Sequence, residues 1–269
     1  RWAAGIGGSY EGRSSEIHIL GGSVNAYGGE GGAGIGSGCW KTEQDMDGIN
    51  AARGIYISGG MVNACGGYNG AGIGGGQFVP AHDITITGGY ITARGVYGAA
   101  IGGGRWMHAR NITVTDANLK LTTGRWSNGS DAAAMGYGDL VYKLEDLVKD
   151  PSSAANDAIK IGSKKKEIVW LKAEAYGLTA NGRCVIFNFS DFLIPNERGL
   201  IDVSLLSLPF AQNYGWTIYE LEMTMMYTSC EGDHTYGWKD WNGYHIWGCK
   251  RCFGRDPTKQ GPAPNGKHI

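Results

Sequence analysis

The C-terminal part of the chain carries cysteines and histidines whose types and spacing could hold a metal ion. Residues 230–252 contain the spacings C-x3-H, H-x3-C and C-x2-C, contributed by Cys230, His234, His245, Cys249 and Cys252. Thiolates and imidazoles at such spacings are typical of a tetrahedral structural Zn²⁺ site, which takes four of the five. Disulfide pairing is the alternative in an oxidising compartment. Because a catalytic zinc needs a neighbouring base and Glu231 is the one nearby candidate, we expect the metal to be structural.

A second group of chemically capable residues lies in the stretch SGCWKTEQDMDG at 37–48, which carries Glu43, Asp45 and Asp47. Asp45 and Asp47 could bind Ca²⁺ through carboxylate oxygens. The same carboxylates could serve as general acid and base in glycoside cleavage, or with Lys41 in a polysaccharide lyase. A solvated acidic loop is the third interpretation. Of the three interpretations, we favour the solvated acidic loop.

A glycine-rich repeat in the first half of the chain must position the carboxylates at 37–48. The string GAGIGGG at 70–76 returns with small changes at 3–8, 32–38 and 98–104, in a chain with 47 glycines among 269 residues. The copies align on Ile6, Ile35, Ile73, Ile101 and Met135. A repeat of this length indicates a solenoid.

Each period also contains two segments of alternating apolar residues. Alternation with a period of two indicates short strands. Alignment gives four inward columns, namely Ile17/Ile55/Ile84/Ile112, Ile19/Ile57/Ile86/Val114, Val24/Val62/Ile91/Leu119 and Ala26/Ala64/Ala93/Leu121. Because strands this short bury apolar surface only by stacking, we predict an all-β fold, a right-handed parallel β-helix with about 28 residues per coil. The glycine string is then the third wall and corner of each coil.

Aromatic residues recur just after the glycine strings. Trp40, Phe78 and Trp106 each fall five residues after the aligned position, and Tyr10 falls four after. Since equivalent residues of successive coils stack at about 4.8 Å, we expect a ladder of rings. An exposed ladder would suit sugar faces, and a buried one would close the corner. Two insertions interrupt the regular repeat. The first is the stretch at 37–48 described above, and the second, GRWSNGSD at 124–131, adds Arg125 and Trp126.

The pattern changes in the second half of the chain. We predict a β-helix over 1–165 with a short helical insertion near 139–149, where Asp139 is the N-cap and Leu140, Leu144 and Leu147 share a face. The alternative is a loop before one last coil at Ile159 and Ile161. A smaller β extension over 166–229 packs on the end of the β-helix, and 230–269 form a short Cys/His knuckle.

Composition excludes some classes of protein. A net charge of −1 gives no footprint for binding nucleic acid, and no apolar stretch is long enough for membrane insertion. The opening Arg1-Trp2 resembles Arg105-Trp106 within a later coil. We therefore expect a larger surface protein to continue N-terminally.

Two stretches resemble known repeats. GAGIGGG and its copies resemble the β-helix repeats of large secreted and cell-wall-anchored proteins of Gram-positive, often gut-dwelling, bacteria. YHIWGCKRC at 244–252 is similar to the H-W-x-C-x-x-C zinc knuckles of bacterial surface proteins. The resemblance implies an extracellular location and a glycan or host-surface ligand, for adhesins and for glycan-binding or glycan-cleaving proteins alike.

Three functions follow as hypotheses. The favoured one is a carbohydrate-binding or adhesive module, with Trp40, Phe78, Trp106, Arg125 and Trp126 as ligand-binding residues. The alternative is a glycoside hydrolase or polysaccharide lyase that uses Glu43, Asp45 and Asp47. The third is a structural spacer, which would explain the regular coils and not the two insertions.

Overall fold

The computed structural model describes residues 1–41, 51–124 and 132–139, and the backbone of seven further strands between 159 and 249. The described residues form strands, turns and bends and no helix, and none of them can span a membrane as a helix. The predicted helical insertion, near 139–149, lies outside the described residues from 140 onward. The predicted fold class is confirmed: three parallel sheets stack coil upon coil.

The first sheet is here called the glycine wall. Each of its strands consists of the aligned residue of a glycine string and the glycine that follows it. Its strands are β1 (Ile6–Gly7), β4 (Ile35–Gly36), β7 (Ile73–Gly74), β10 (Ile101–Gly102) and β13 (Met135–Gly136). All four neighbouring pairs are parallel, and the aligned residues face one another in register, from Ile6 and Ile35 to Ile101 and Met135. The alignment made on the sequence is therefore the alignment of the coils.

The second sheet, the isoleucine wall, has six strands, one more than the glycine wall. Its parallel strands are β2 (Ile17–Ile19), β5 (Ala52–Ile57), β8 (Ala81–Ile86), β11 (Ala109–Thr115) and β14 (Ile159–Gly162). Ile159 and Ile161 stand opposite Ile112 and Val114, so the backbone at 159–162 continues the stack as a further coil. The strand β17 (Leu200–Asp202) pairs with β14 in the antiparallel direction.

The third sheet, the asparagine wall, is named for two of its outward residues, described below. Its parallel strands are β3 (Ser23–Tyr27), β6 (Met61–Cys65), β9 (Gly89–Arg94) and β12 (Ala117–Thr122). Antiparallel strands extend it in the order β12, β18 (Trp216–Tyr227), β15 (Ile168–Thr179) and β16 (Cys184–Asn188). The strands β19 (Tyr236–Trp241) and β20 (Tyr244–Cys249) form a separate hairpin.

The core is the set of four columns predicted from the sequence. Ile55, Ile84, Ile86 and Ile112 are fully buried, and Val62 and Leu121 close the opposite side. Each such side chain stabilises the fold by about 1.5–3 kcal/mol through burial. In the first coil Ile6, Ile17 and Val24 are only partly buried, because a second coil covers them on one side alone.

The glycine wall depends on one conformationally demanding position in each coil. Gly7, Gly36, Gly74, Gly102 and Gly136 follow the aligned residues with φ between 123° and 143°. A β-carbon on Gly36 would collide with the carbonyl oxygen of Gly74, and one on Gly74 with that of Gly102. Glycine is needed there for both its positive φ and the close approach of neighbouring coils.

Candidate functional site

The predicted aromatic residues lie at the tight corner that follows three of the glycine strings, and the ring contact observed among them is between Phe78 and Trp106. Phe78 and Trp106 adopt φ of 62° and 71° within turns that Val79 and Met107 close by backbone hydrogen bonds to Gly76 and Gly104. Their ring centroids lie 4.6 Å apart with an interplanar angle of 32°. All three rings, Trp40 included, are half-buried. The ladder is a partly covered corner stack, and its predicted role in ligand binding stays a prediction.

The first coil differs from the prediction by one residue. The amide of Glu11 donates to Cys39, as that of Trp40 donates to Gln77 and that of Phe78 to Arg105. Glu11 therefore occupies the ladder position, with φ of 54°, and Tyr10 precedes it. Lys41 forms an ion pair with Glu11, with 3.6 Å between Nζ and Oε1. The corner is therefore marked by the fifth residue after the aligned position, whether or not that residue is aromatic.

Arg105 locks the same corner from outside. Its guanidinium lies 4.2 Å from the ring centroid of Tyr97 and 4.5 Å from that of Trp106, which is cation–π geometry. Its Nη1 donates to Asn69 at 3.2 Å, and its Nε lies 3.6 Å from Oδ2 of Asp139. Two rings, one amide and one carboxylate thus contact Arg105, which indicates a structural role for this arginine.

The other predicted site residues lie outside the described residues, or are described only in backbone. Glu43, Asp45, Asp47, Arg125 and Trp126 are outside, as are Cys230, His234 and Cys252. His245 and Cys249 lie on β20, where they pair with Asp240 and Tyr236. Within the described part of the chain, no three His, Cys, Asp or Glu residues are grouped closely enough to hold a metal ion. The zinc, calcium and catalytic assignments therefore stay predictions.

The described residues include a further exposed face that the sequence did not predict. It is the outward face of β3, β6 and β9 on the asparagine wall, here called the Tyr/Asn face. Its main residues are Asn25, Tyr27, Met61, Asn63, Tyr90, Thr92 and Arg94. Tyr27, Met61 and Tyr90 have exposed fractions of 63%, 64% and 62%, far above the half-buried rings of the corner.

The Tyr/Asn face has an ordered arrangement of polar groups. Asn25 and Asn63 stand opposite each other in register, with Thr92 next in the same column. The Nδ2 of Asn63 donates to Oδ1 of Asn25 at 3.2 Å and lies 3.3 Å from the hydroxyl of Tyr27. An amide keeps donors and acceptors available beyond such contacts. The face therefore offers amides and hydroxyls between two exposed aromatic rings.

This face could have been found from the outward positions of the aligned repeat. In SVNAY, MVNAC and YITAR the inward residues, on which the predicted columns rest, are Val or Ile and, two residues later, Ala. The intervening residues are the Tyr/Asn face. No apolar pattern constrains them, so their role is visible only when the register of the coils is known.

Two histidines from neighbouring coils meet at the entry to the isoleucine wall. Their Nε2 atoms are 3.1 Å apart and their ring centroids 5.3 Å apart, so the rings point at each other and one Nε2–H donates to the other Nε2. These two residues are His82 and His108. The sequence did not predict a role for either of them. Burial, and then the positive charges of Arg53 and Arg110, lower the pKa of His82 to about 4. Burial lowers the pKa of His108 to about 3. Both rings are neutral at pH 7.

The two cysteines whose side chains are described are free thiols, Cys39 just before the corner residue Trp40 and Cys65 on the asparagine wall. Cys39 is buried, its Sγ donates to the carbonyl of Trp40, and burial raises the pKa of its thiol to about 11. Cys65 is half-buried on the asparagine wall, between Tyr27 and Arg94 in register. Cys65 therefore places a thiol on the Tyr/Asn face.

The fold defines the class: the protein is a parallel β-helix. A protein-family model described as a beta helix repeat matches residues 17–39, 55–77 and 84–105. Each match begins at an inward isoleucine of the isoleucine wall and ends just before Trp40, Phe78 or Trp106, so it follows the coils found in the structure. Comparison with curated proteins and with solved structures gives no significant match.

Proposed function

We propose that this β-helix is a non-catalytic, extracellular carbohydrate-binding module that presents the Tyr/Asn face to a glycan. One observation carries the proposal: Tyr27 and Tyr90 are 63% and 62% exposed on a rigid sheet, with the Asn25–Asn63 amide pair between them. Aromatic rings offer flat apolar surface to the C–H side of a sugar. Amides and hydroxyls bind its hydroxyl groups.

The rigidity of the scaffold supports the proposal. The Tyr/Asn face lies on strands whose inward residues, among them Val62, Ala64 and Ile91, are buried in the core. A surface that is already ordered loses little conformational entropy when a ligand binds. Equivalent positions on successive coils repeat at about 4.8 Å, which suits a polymer of repeating units. The resemblance to secreted and wall-anchored proteins supports an extracellular location.

The test uses the full chain and a panel of mucin glycans and plant polysaccharides. Retention of the protein and formation of new reducing or unsaturated ends are read from the same samples. We expect retention without new ends. New ends that disappear in Asp45→Ala or Asp47→Ala would instead make the protein an enzyme, and neither signal would leave a structural spacer.

A matched set of variants locates the binding surface. Tyr27→Ala and Tyr90→Ala should each weaken retention about tenfold or more, because each removes an exposed ring from the face. Tyr56→Ala is the control: Tyr56 is 40% exposed but lies on the isoleucine wall, stacked on His18 at 4.8 Å. Equal loss of retention in all three variants would contradict the assignment of the face.

A further inference from the structure

The charged residues of the asparagine wall point to the class of glycan. The described outward positions of β3, β6, β9 and β12 include two charged side chains, Arg94 and Lys120, both exposed and both basic. The outward positions of those four strands hold no carboxylate. By contrast, the isoleucine wall has exposed charges of both signs, among them Arg53, Asp83 and Arg110. The four parallel strands of the asparagine wall therefore carry outward charge of one sign, whereas the antiparallel strand β18 beyond them contributes Glu220 and Glu222.

Arg94 is the better placed of the two basic residues. It stands beside Cys65 on one side and Thr122 on the other, and makes no ion pair with any residue that the structure describes. Lys120 is its diagonal neighbour, about 7–8 Å away. The antiparallel register places Glu222 beside Lys120, where opposite charges of neighbouring strands interact favourably. Thr122 separates Arg94 from Glu220 on β18, so Arg94 is the basic residue of the two that has no carboxylate on a directly neighbouring strand.

The position of Arg94 within the face sets the direction of a bound chain. Tyr27, Cys65 and Arg94 form one column, so Arg94 lies two coils, or about 10 Å, from Tyr27. A polymer running along the axis of the β-helix would place a sugar on the Tyr27 ring and an acidic group on the guanidinium. An arginine binds a carboxylate or a sulfate through paired N–H donors, which adds both affinity and orientation.

We propose that the ligand of the Tyr/Asn face is a linear anionic polysaccharide whose carboxylate or sulfate groups pair with Arg94. This inference rests on the proposed glycan-binding function and narrows it to acidic polymers. It also assigns Arg94, absent from the predicted binding residues, as the specificity-determining residue. The neutral part of the face, Tyr27 with Asn25 and Asn63, contributes affinity that does not depend on charge.

The test compares polymers that differ in charge. The full chain is titrated with polygalacturonate, with the same polymer after methyl esterification, and with chondroitin sulfate, each at low and at high salt. We expect polygalacturonate or chondroitin sulfate to bind at least tenfold more tightly than the esterified polymer, with the difference reduced by salt. Polygalacturonate carries carboxylates alone, whereas chondroitin sulfate carries carboxylates and sulfates, so tighter binding of chondroitin sulfate would favour the sulfate, and equal or tighter binding of polygalacturonate would favour the carboxylate.

Matched variants assign the effect to one residue. Arg94→Gln should weaken binding of the acidic polymer about tenfold and leave the esterified polymer unchanged. Arg110→Gln removes the same charge from the isoleucine wall and should change neither. Unchanged thermal midpoints would show that both variants fold.

Two results would overturn the inference, and they differ in meaning. Equal binding of acidic and esterified polymers, unaffected by Arg94→Gln, would refute the anionic ligand and leave the glycan-binding function standing. No binding of these polymers, and none of any glycan in the wider panel, would refute both.

Discussion

At the scale of single residues, the contact between His82 and His108 joins two coils through a pair of neutral rings. The 3.1 Å Nε2 contact needs one ring to donate and the other to accept, and burial with two nearby arginines keeps both rings unprotonated. No pattern in the sequence indicates this pair. In the strand register His82 stands opposite Arg110 and not opposite His108. The side chain of His108 nevertheless contacts that of His82. Such contacts depend on side-chain direction, which no period in the sequence encodes.

The pair predicts a specific dependence of stability on pH. The pKa of each histidine is lower in the folded protein than its ordinary value of 6.5, so the unfolded chain takes up protons first as the pH falls. The stabilisation is complete above about pH 6.5 and is lost as the pH falls toward about 4 and 3. Each histidine changes the free energy of unfolding by up to about 1.4 kcal/mol per pH unit.

Thermal midpoints measured from pH 7.5 to 4 test this prediction. The wild type should lose stability on acidification more steeply than the double variant His82→Asn/His108→Asn. His18→Asn, an exposed histidine on the isoleucine wall, should follow the wild type. Parallel pH profiles for all three proteins would show that the pair carries no pH dependence.

At the scale of elements, the glycine string acts as a strand of two residues whose neighbours are other glycine strings. Its geometry was predictable because only glycine combines positive φ with close backbone contact, and four copies share the pattern. The corner that follows was predictable in position but not in composition, since Glu11 takes the place expected for a ring. A turn residue with positive φ is fixed by the backbone, and its side chain is free to vary.

Two glycine substitutions separate the demanding position from an undemanding one. Gly74→Ala should lower stability by at least about 2 kcal/mol, because alanine at φ of 133° is strained and its β-carbon would meet the backbone of Gly102. Gly21→Ala should be neutral or slightly stabilising, since nothing lies within 4 Å of its added carbon. Thermal unfolding followed by circular dichroism distinguishes the two. Equal midpoints would contradict the role assigned to the glycine wall.

At the scale of the whole molecule, the repeating features of the fold were predictable from the sequence, and the features that do not repeat were not. The four inward columns and the aligned glycine strings reappear in the structure residue for residue, because stacking forces equivalent residues into register. The Tyr/Asn face was missed because outward residues need only tolerate water. The first sequence-based candidates were the insertions at 37–48 and 124–131, which lie largely outside the described residues, so their predicted chemistry remains a prediction.

A glycan is proposed to bind on the Tyr/Asn face. Cys65 lies on that face and can report whether a ligand covers it. Cys39 is an internal reference, because burial and a thiol pKa near 11 should keep it unmodified unless the β-helix opens. The decisive measurement is the rate of alkylation of Cys65 by iodoacetamide, read by peptide mass mapping, with and without a saturating amount of a retained glycan. We predict that the bound glycan slows modification of Cys65 several-fold while Cys39 stays unmodified. An unchanged rate at Cys65 with the glycan bound would place the ligand elsewhere and contradict the account.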